Sequence, residues 1–162
     1  MLLITREISQ LSFGKLMNVY EEGNAEKAAL SYRTMDRNAA ILLAEQDFYA
    51  YLAECFFKTD GAFYAVWQEK TEYISALRME PYRDGLLLEG LETTPAYRRM
   101  GYAVKLLKAV LADVSAPVYS HVNKENMPSL RAHEACGFVR IADSAEMIDG
   151  TVSEEHCTLY RK

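Results

Sequence analysis

The chain has 162 residues, half of them hydrophobic and a quarter charged, a composition that excludes a disordered, fibrous or low-complexity chain and suits one globular domain spanning residues 1–162. Its 18 basic and 23 acidic residues leave a net charge of −5, so it lacks the basic face of a nucleic-acid binder and the polybasic patch of a membrane anchor. No run approaches the ~20 apolar residues of a membrane span, and the apolar stretch after Met1 is too short for a signal peptide.

Residues 2–8 read as a first strand, with Ser9 as cap of a helix reaching about Glu22. Phe13, Leu16, Met17 and Tyr20 form its buried stripe. Glu22-Gly23-Asn24 reads as the stop, and 23–35 as a polar connection. Asp36 is placed to cap a long second helix, on which Ile41, Ala44, Phe48, Tyr51, Leu52 and Cys55 share one face. Thr59-Asp60-Gly61 turns the chain into three strands, 62–69, 72–80 and 86–94. Pro81 to Gly85 is the turn between the last two, and Pro95 stops the meander. A third helix follows from about Arg98 to Asp113 with a clean apolar stripe. Then come a strand at 117–122, a helix at 127–136, a strand from Phe138, a turn at Asp149-Gly150 and a last strand near 155–160. The order β-α-α-β-β-β-α-β-α-β-β is that of a mixed α/β domain, a sheet of about seven strands with four helices. Cys55, Cys136 and Cys157 are an odd, widely spaced set with no metal-ligand spacing, expected as small buried thiols in the cytoplasm.

Chemistry concentrates where a strand, a proline stop and an Arg- and Gly-bearing loop open directly into the third helix, from Leu91 to Ala103. The first amides of a helix lack intrahelical partners and carry partial positive charge, so such a start is an anion site. Gly101 has no Cβ to keep a phosphate from the backbone, Ala103 keeps the next turn small, and Arg98 and Arg99 add charge.

Arg98-x-x-Gly101-x-Ala103 resembles the acyl-CoA-binding motif of the GNAT superfamily of N-acyltransferases. Downstream, Asn126-Met127-Pro128-Ser129 and Ala132 to Phe138 resemble that family's Asn-x-x-Ala/Ser and Tyr-x-x-x-Gly-Phe segment, with His133 standing where the family commonly has tyrosine. The resemblance implies a mostly antiparallel sheet whose two central parallel strands, 86–94 and 117–122, splay apart. It implies acetyl-CoA as acyl donor, its diphosphate held by the backbone of Arg99, Met100, Gly101, Tyr102 and Ala103 beside Arg98. The pantetheine arm would meet strand backbone near Leu91 and Thr93, and Asn126 would bond to it. The implied acceptor is a primary amine of a small molecule, peptide or protein, attacking the thioester directly in a ternary complex, with no metal. By analogy with related domains a homodimer is open.

The base for the amine must be a carboxylate or a water relay. Glu89 is the first candidate and Glu92 the second; strict alternation puts them on opposite faces of the strand, and a bulge would change this. His133 is the candidate acid for the leaving thiolate if protonated or if its N–H points at sulfur. His121 and His156 read as structural. The acceptor pocket falls to roughly 20–38 and 143–156, both rich in acidic residues. Two rival readings stay open: a non-catalytic acyl-CoA-binding regulatory module on the same fold, and an interaction domain without a nucleotide ligand.

Overall fold

A computed structural model describes residues Met1–Lys162. Seven strands form one sheet in the order β1-β2-β3-β4-β5-β9-β6, antiparallel throughout except for the central pair β4 and β5. The strands are β1 (Leu2–Thr5), β2 (Phe63–Glu69), β3 (Glu72–Tyr82), β4 (Gly85–Thr93), β5 (Val118–Asn123), β6 (Val139–Ala142) and β9 (His156–Arg161). A separate small hairpin, β7 (Ala145–Glu146) with β8 (Val152–Ser153), precedes β9. Five helices cover the sheet: α1 (Phe13–Val19), α2 (Glu21–Ser31) and α3 (Arg37–Glu54) on one face, α4 (Tyr102–Leu111) and α5 (Met127–Glu134) on the other. No helix is long and apolar enough to cross a membrane.

The fifth helix, one more than the sequence pattern suggests, is α2, which occupies the stretch read as a polar connection. The run Ala25-Glu26-Lys27-Ala28-Ala29-Leu30 has strong intrinsic helix propensity, and Glu21 and Glu22 in the first turn suit the helix dipole. Ala28 packs against Ala40 and Ala44 of α3, so two helices meet through small side chains. The expected stop, Gly23-Asn24, lies inside this helix; the break comes earlier, at Tyr20 (φ −96°, ψ 16°). Ser9 caps nothing. Thr5 Oγ1 accepts from the Glu7 amide at 3.0 Å and ends β1 early, and Ser9 sits in a short 3-10 turn. Asp36 does cap α3, accepting from the amides of Asn38 and Ala39 at 3.1 and 3.3 Å. Pro81 belongs to β3, and the chain reverses at Arg83-Asp84, with Arg83 at φ 52°. Cys55, expected to be buried, is exposed at the end of α3, whereas Cys136 and Cys157 are buried.

Alternation along the strands builds two cores. Leu77, Met79, Leu88, Val118, Val122, Cys157 and Leu159 face α4, whose Leu106, Leu107, Val110 and Leu111 complete that layer. Tyr64, Val66 and Ala76 face the other way, onto Leu16, Met17, Val19, Leu52 and Phe56.

Two departures from regular pairing shape the middle of the sheet. β4 and β5 pair only at Leu86↔Val118, Leu87↔Tyr119 and Leu88↔Ser120, although both strands run on, to Thr93 and Asn123. Each stays paired on its outer side, β4 to β3 and β5 to β9. Along β3 and β4, Arg78 faces Glu89 while Ala76 faces Glu92, so β4 carries one extra residue there. This bulge centres on Gly90, at φ +57°, and bends the strand where it leaves β5. A Cβ at Gly90 would stand 2.6 Å from Arg78 Nη1 and 3.3 Å from the Tyr20 hydroxyl. Gly90→Ala is therefore expected to lower the unfolding free energy by about 1–3 kcal/mol, through left-handed strain and displacement of Arg78. A urea titration checks this; a variant as stable as the parent would show that the bulge tolerates a side chain.

Candidate active site

The parting of β4 from β5 opens a cavity of about 920 Å³ that reaches both faces of the sheet. Of the candidate catalytic and cofactor-binding residues, every one except Met100 lines it, and Met100 is 63% exposed; of the stretches expected to build the acceptor pocket, 20–38 contributes Glu22, Gly23 and Glu26, and 143–156 contributes His156 alone.

On the α4 side the wall is the start of that helix. Gly101 occupies the N-cap position at φ +82°, and no side chain caps the helix. The first amide to bond back is that of Lys105, to Gly101 O at 2.9 Å, which leaves the amides of Tyr102, Ala103 and Val104 without intrahelical partners. Arg99 is also left-handed (φ 63°), so the backbone curls around Met100. A Cβ on Gly101 would meet no atom within 4 Å. That space is open, as an anion cradle requires. Arg99 and Arg131 bring positive charge to the wall. Arg98 is tethered: its Nε donates to Thr93 O at 3.1 Å and its guanidinium pairs with Glu22 of α2. Asn126 caps α5, its Oδ1 accepting from the Ser129 amide at 3.1 Å. Thr93 Oγ1 donates to Ser75 Oγ at 3.0 Å, so its side chain faces β3. Leu91 packs against the α4-side core.

On the α2 side the wall is acidic, with Glu22, Glu26, Glu89 and Glu92. The extra residue in β4 places Glu89 and Glu92 on the same face, opposite Arg78 and Ala76, which both point that way. They differ in company. Glu89 Oε2 lies 3.4 Å from Arg78 Nε, a half-buried ion pair. Behind it, burial and the neighbouring Glu89 carboxyl hold Glu80 well above the usual carboxylate range. Glu92 has no cation within ion-pair distance. Its Oε1 lies 3.0 Å from where a Cβ of Gly23 would stand, so α2 crosses directly above it. Burial raises the Glu92 carboxyl to about 7; Arg98 opposes the rise, and Glu26 and Glu22 add to it.

His133 is 1% exposed and forms part of the same wall. Its Nδ1 lies 2.8 Å from Ser129 O; a carbonyl only accepts, so Nδ1 carries a proton. Burial pushes its pKa below the ordinary histidine value, and the Ser129 contact offsets this only in part. The imidazole is neutral with its proton already engaged, so it has no N–H to offer a leaving group. His121 and His156, read from the sequence as structural, both line the cavity. Strand phase carried that signal: His121 alternates with Val118 and Val122, which face α4, and therefore points to the α2 side. Arg131 also escaped the sequence reading, since it joins this wall only when α4 and α5 are folded together; Tyr97 lies within the stretch singled out but was given no role there.

Comparison with known proteins follows the same direction. A model of the acetyltransferase (GNAT) family matches residues 29–138, more than half of the chain. Among solved structures, an acetyltransferase from Streptococcus agalactiae superposes with TM-score 0.65 at 15% identity, covering 99% of this chain and 97% of that one. The ribosomal-protein-S18-alanine N-acetyltransferase from Escherichia coli gives 0.63 at 13%, covering 99% and 92%. PaiA N-acetyltransferase from Thermoplasma acidophilum, in complex with coenzyme A, gives 0.61 at 10%, covering 100% and 99%. At these identities the likeness is one of fold. No curated protein matches by sequence.

The raised Glu92 carboxyl has a consequence for stability. A carboxyl whose folded pKa exceeds its unfolded value binds its proton more tightly in the folded state, so stability falls as pH rises from about 4.5 to 7 and stays low above. Glu92→Gln is expected to be more stable than the parent by about 1–3 kcal/mol at pH 8, the difference vanishing toward pH 4.5. Urea unfolding across that range tests it, and a gain independent of pH would refute the assignment.

Proposed function

The chain belongs to the GNAT acetyltransferase family, and from that premise we propose that it transfers an acetyl group from acetyl-CoA to a primary amine, both reactants meeting in the opening between β4 and β5. The observation that carries this reading is the asymmetry of that opening: uncapped helix amides with open space on one side, an unpaired carboxyl titrating near neutrality on the other.

Acetyl-CoA supplies the acyl group already activated as a thioester. The amides at the start of α4, from Arg99 through Met100 and Gly101 to Tyr102 and Ala103, suit its diphosphate, with Arg99 and Arg131 adding charge. Arg98 holds the loop by joining Thr93 O to Glu22, so it shapes the cradle from behind. Leu91 and Thr93 lie on the freed edge of β4, where backbone groups are available to the pantetheine amides, and the side-chain NH₂ of Asn126 remains free to donate.

On the α2 side, Glu22, Glu26 and Glu92 attract an amine that is mostly protonated at neutral pH. Glu92 is the base: it is ionised above about pH 7, carries no cation and faces the cavity. Glu89 is the second candidate and is weaker, because Arg78 already holds it. His133 is left out of the acid role by its committed proton, and a thiolate is a tolerable leaving group without one. Small amines and protein amines both remain within the acceptor class; the Escherichia coli relative is named for an alanine of a ribosomal protein.

Release of free thiol in the presence of polyamines, amino acids and peptides tests the activity; binding without release for every amine would assign a regulatory acyl-CoA module instead. Gly101→Glu, which puts a carboxylate into the cradle, is expected to weaken acetyl-CoA binding by at least about tenfold in calorimetry while the fold persists. Undiminished affinity would remove the diphosphate from this site. With an active acceptor, kcat/KM is expected to drop below about pH 7 as Glu92 takes up its proton. Glu92→Gln should lose roughly a hundredfold or more at pH 7 together with that acid limb. A retained limb in the variant would transfer the base role to Glu89.

A further inference from the structure

Glu80 is a buried carboxyl that the reaction as drawn leaves unused. It stands two residues from Arg78 on β3, so both point to one face of the sheet, and Arg78 lies opposite Glu89 on β4. Glu80 is 8% exposed and makes no ion pair; Arg78 makes its own with Glu89, Nε to Oε2 at 3.4 Å. These three groups bring one positive charge to two carboxyls. His121 of β5, which faces Glu89, adds no second cation, because burial lowers its pKa although Glu89 opposes this. Tyr51 of α3 lies under the Arg78 guanidinium at 5.4 Å, and burial raises its phenol, so it stays neutral. One cation does not neutralise two buried carboxylates. One of the pair keeps a proton, and it is the one that Arg78 leaves unpaired. Burial, and then the hydrogen bond to Glu89, raise the Glu80 carboxyl accordingly.

Glu89 has the complementary need. It lines the opening, yet its Oε2 is fully covered and accepts no hydrogen bond, the Arg78 contact being too poorly aligned for one. A covered carboxylate oxygen without a donor is costly and rare. The neutral Glu80 carboxyl beside it carries an O–H.

We propose that Glu80 is a positioning residue: its O–H donates to Glu89 and fixes Glu89 as a carboxylate at the opening, an anchor for the acceptor's ammonium beside Glu92. The anchoring role rests on the acetyl-transfer reading above; the proton held between the two carboxyls does not. Glu89 and Glu92, brought to one face by the bulge, then divide the work. Glu89 holds a fixed charge, and Glu92 takes up the proton.

The experiment combines ¹³C titration of the side-chain carboxyls with kinetics, on the parent protein, Glu80→Gln, Glu80→Met and Glu89→Gln. In the parent at pH 6, Glu80 is expected to be protonated and Glu89 ionised. Two ionised carboxyls, or a proton on Glu89 in place of Glu80, overturn the proposal. Glu89→Gln removes the like charge, so the Glu80 midpoint is expected to fall by about one pH unit or more, and an unmoved midpoint overturns the proposal. With an active amine at pH 6.5, glutamine at position 80 still donates and keeps KM within about twofold of the parent. Methionine has no donor, and KM for the amine is expected to rise about three- to tenfold with kcat nearly unchanged. Equal KM in Glu80→Met and the parent, or equal losses in both variants at position 80, overturn the proposal. Should Glu80→Met fail to fold, the titrations of the parent and Glu89→Gln decide. A parent that turns over no amine would instead sink the acetyl-transfer reading, while the same titrations still decide whether Glu80 donates to Glu89.

Discussion

The carbonyl of Gly90 accepts a hydrogen bond from the Tyr20 hydroxyl at 2.7 Å, and Tyr20 accepts one from Tyr64, also at 2.7 Å. Burial raises both phenols, Tyr64 to about 12, so both hydroxyls keep the protons they donate. This short chain of bonds pins the bulge in β4 from the α1 side, with the Arg78 guanidinium filling the space a side chain at Gly90 would need. One extra residue between Glu89 and Glu92 then has two effects. It bends β4 just beyond its last pairing with β5, and it brings two carboxyls to the same face. The strands part without loosening the sheet, because β3 and β9 hold their outer edges. What is lost is pairing along two inner edges, and backbone groups released in this way need new partners. The cavity is the place where those groups are exposed.

Charge is distributed across this opening by the layer structure. Helices α4 and α5 bring an open amide terminus with Arg99 and Arg131; α2 brings Glu22 and Glu26 above the two strand carboxyls. Within the acidic group, the cations already present decide the chemistry. Arg78 occupies Glu89 and Arg98 occupies Glu22. Glu92 is covered by α2 at Gly23 and is paired with no cation, and burial outweighs the more distant Arg98 and Arg78, so its proton affinity rises into the range where a carboxylate is useful as a base at neutral pH. The same logic of burial acts in reverse on His133, where loss of hydration favours the uncharged ring. Glu92, read from the sequence as the second candidate base, and His133, read as the candidate acid, thus differ in what they can give or take.

Local signals carried much of the fold. The Asp36 cap, the stripe of α4, the meander of β2, β3 and β4, and the stop at Pro95 are each properties of a few neighbouring residues, and each appears where periodicity and turn chemistry put it. The errors have one character. Residues 21–31 lack an apolar stripe, and their helix is held by tertiary contacts that periodicity does not show, among them Ala28 against Ala40 and Ala44 and the Lys27–Asp47 pair. Cys55 continues the α3 stripe in sequence but falls where the helix ends and the core has run out.

At the site the division is similar. The open helix start was legible because it is built from consecutive residues, Arg98 to Ala103, whose backbone course follows from Gly101 and the helix that begins there. The ranking of the carboxylates and the polarity of His133 were not legible. They depend on a bulge clamped by Tyr20 from seventy residues away, on α2 crossing over Glu92, and on which imidazole nitrogen the Ser129 carbonyl takes. The sequence by itself determined the candidates for anion binding and proton transfer. Only the tertiary structure decided which carboxyl is left without a cation and which nitrogen is left without a donor, because desolvation and pairing are properties of three-dimensional neighbours.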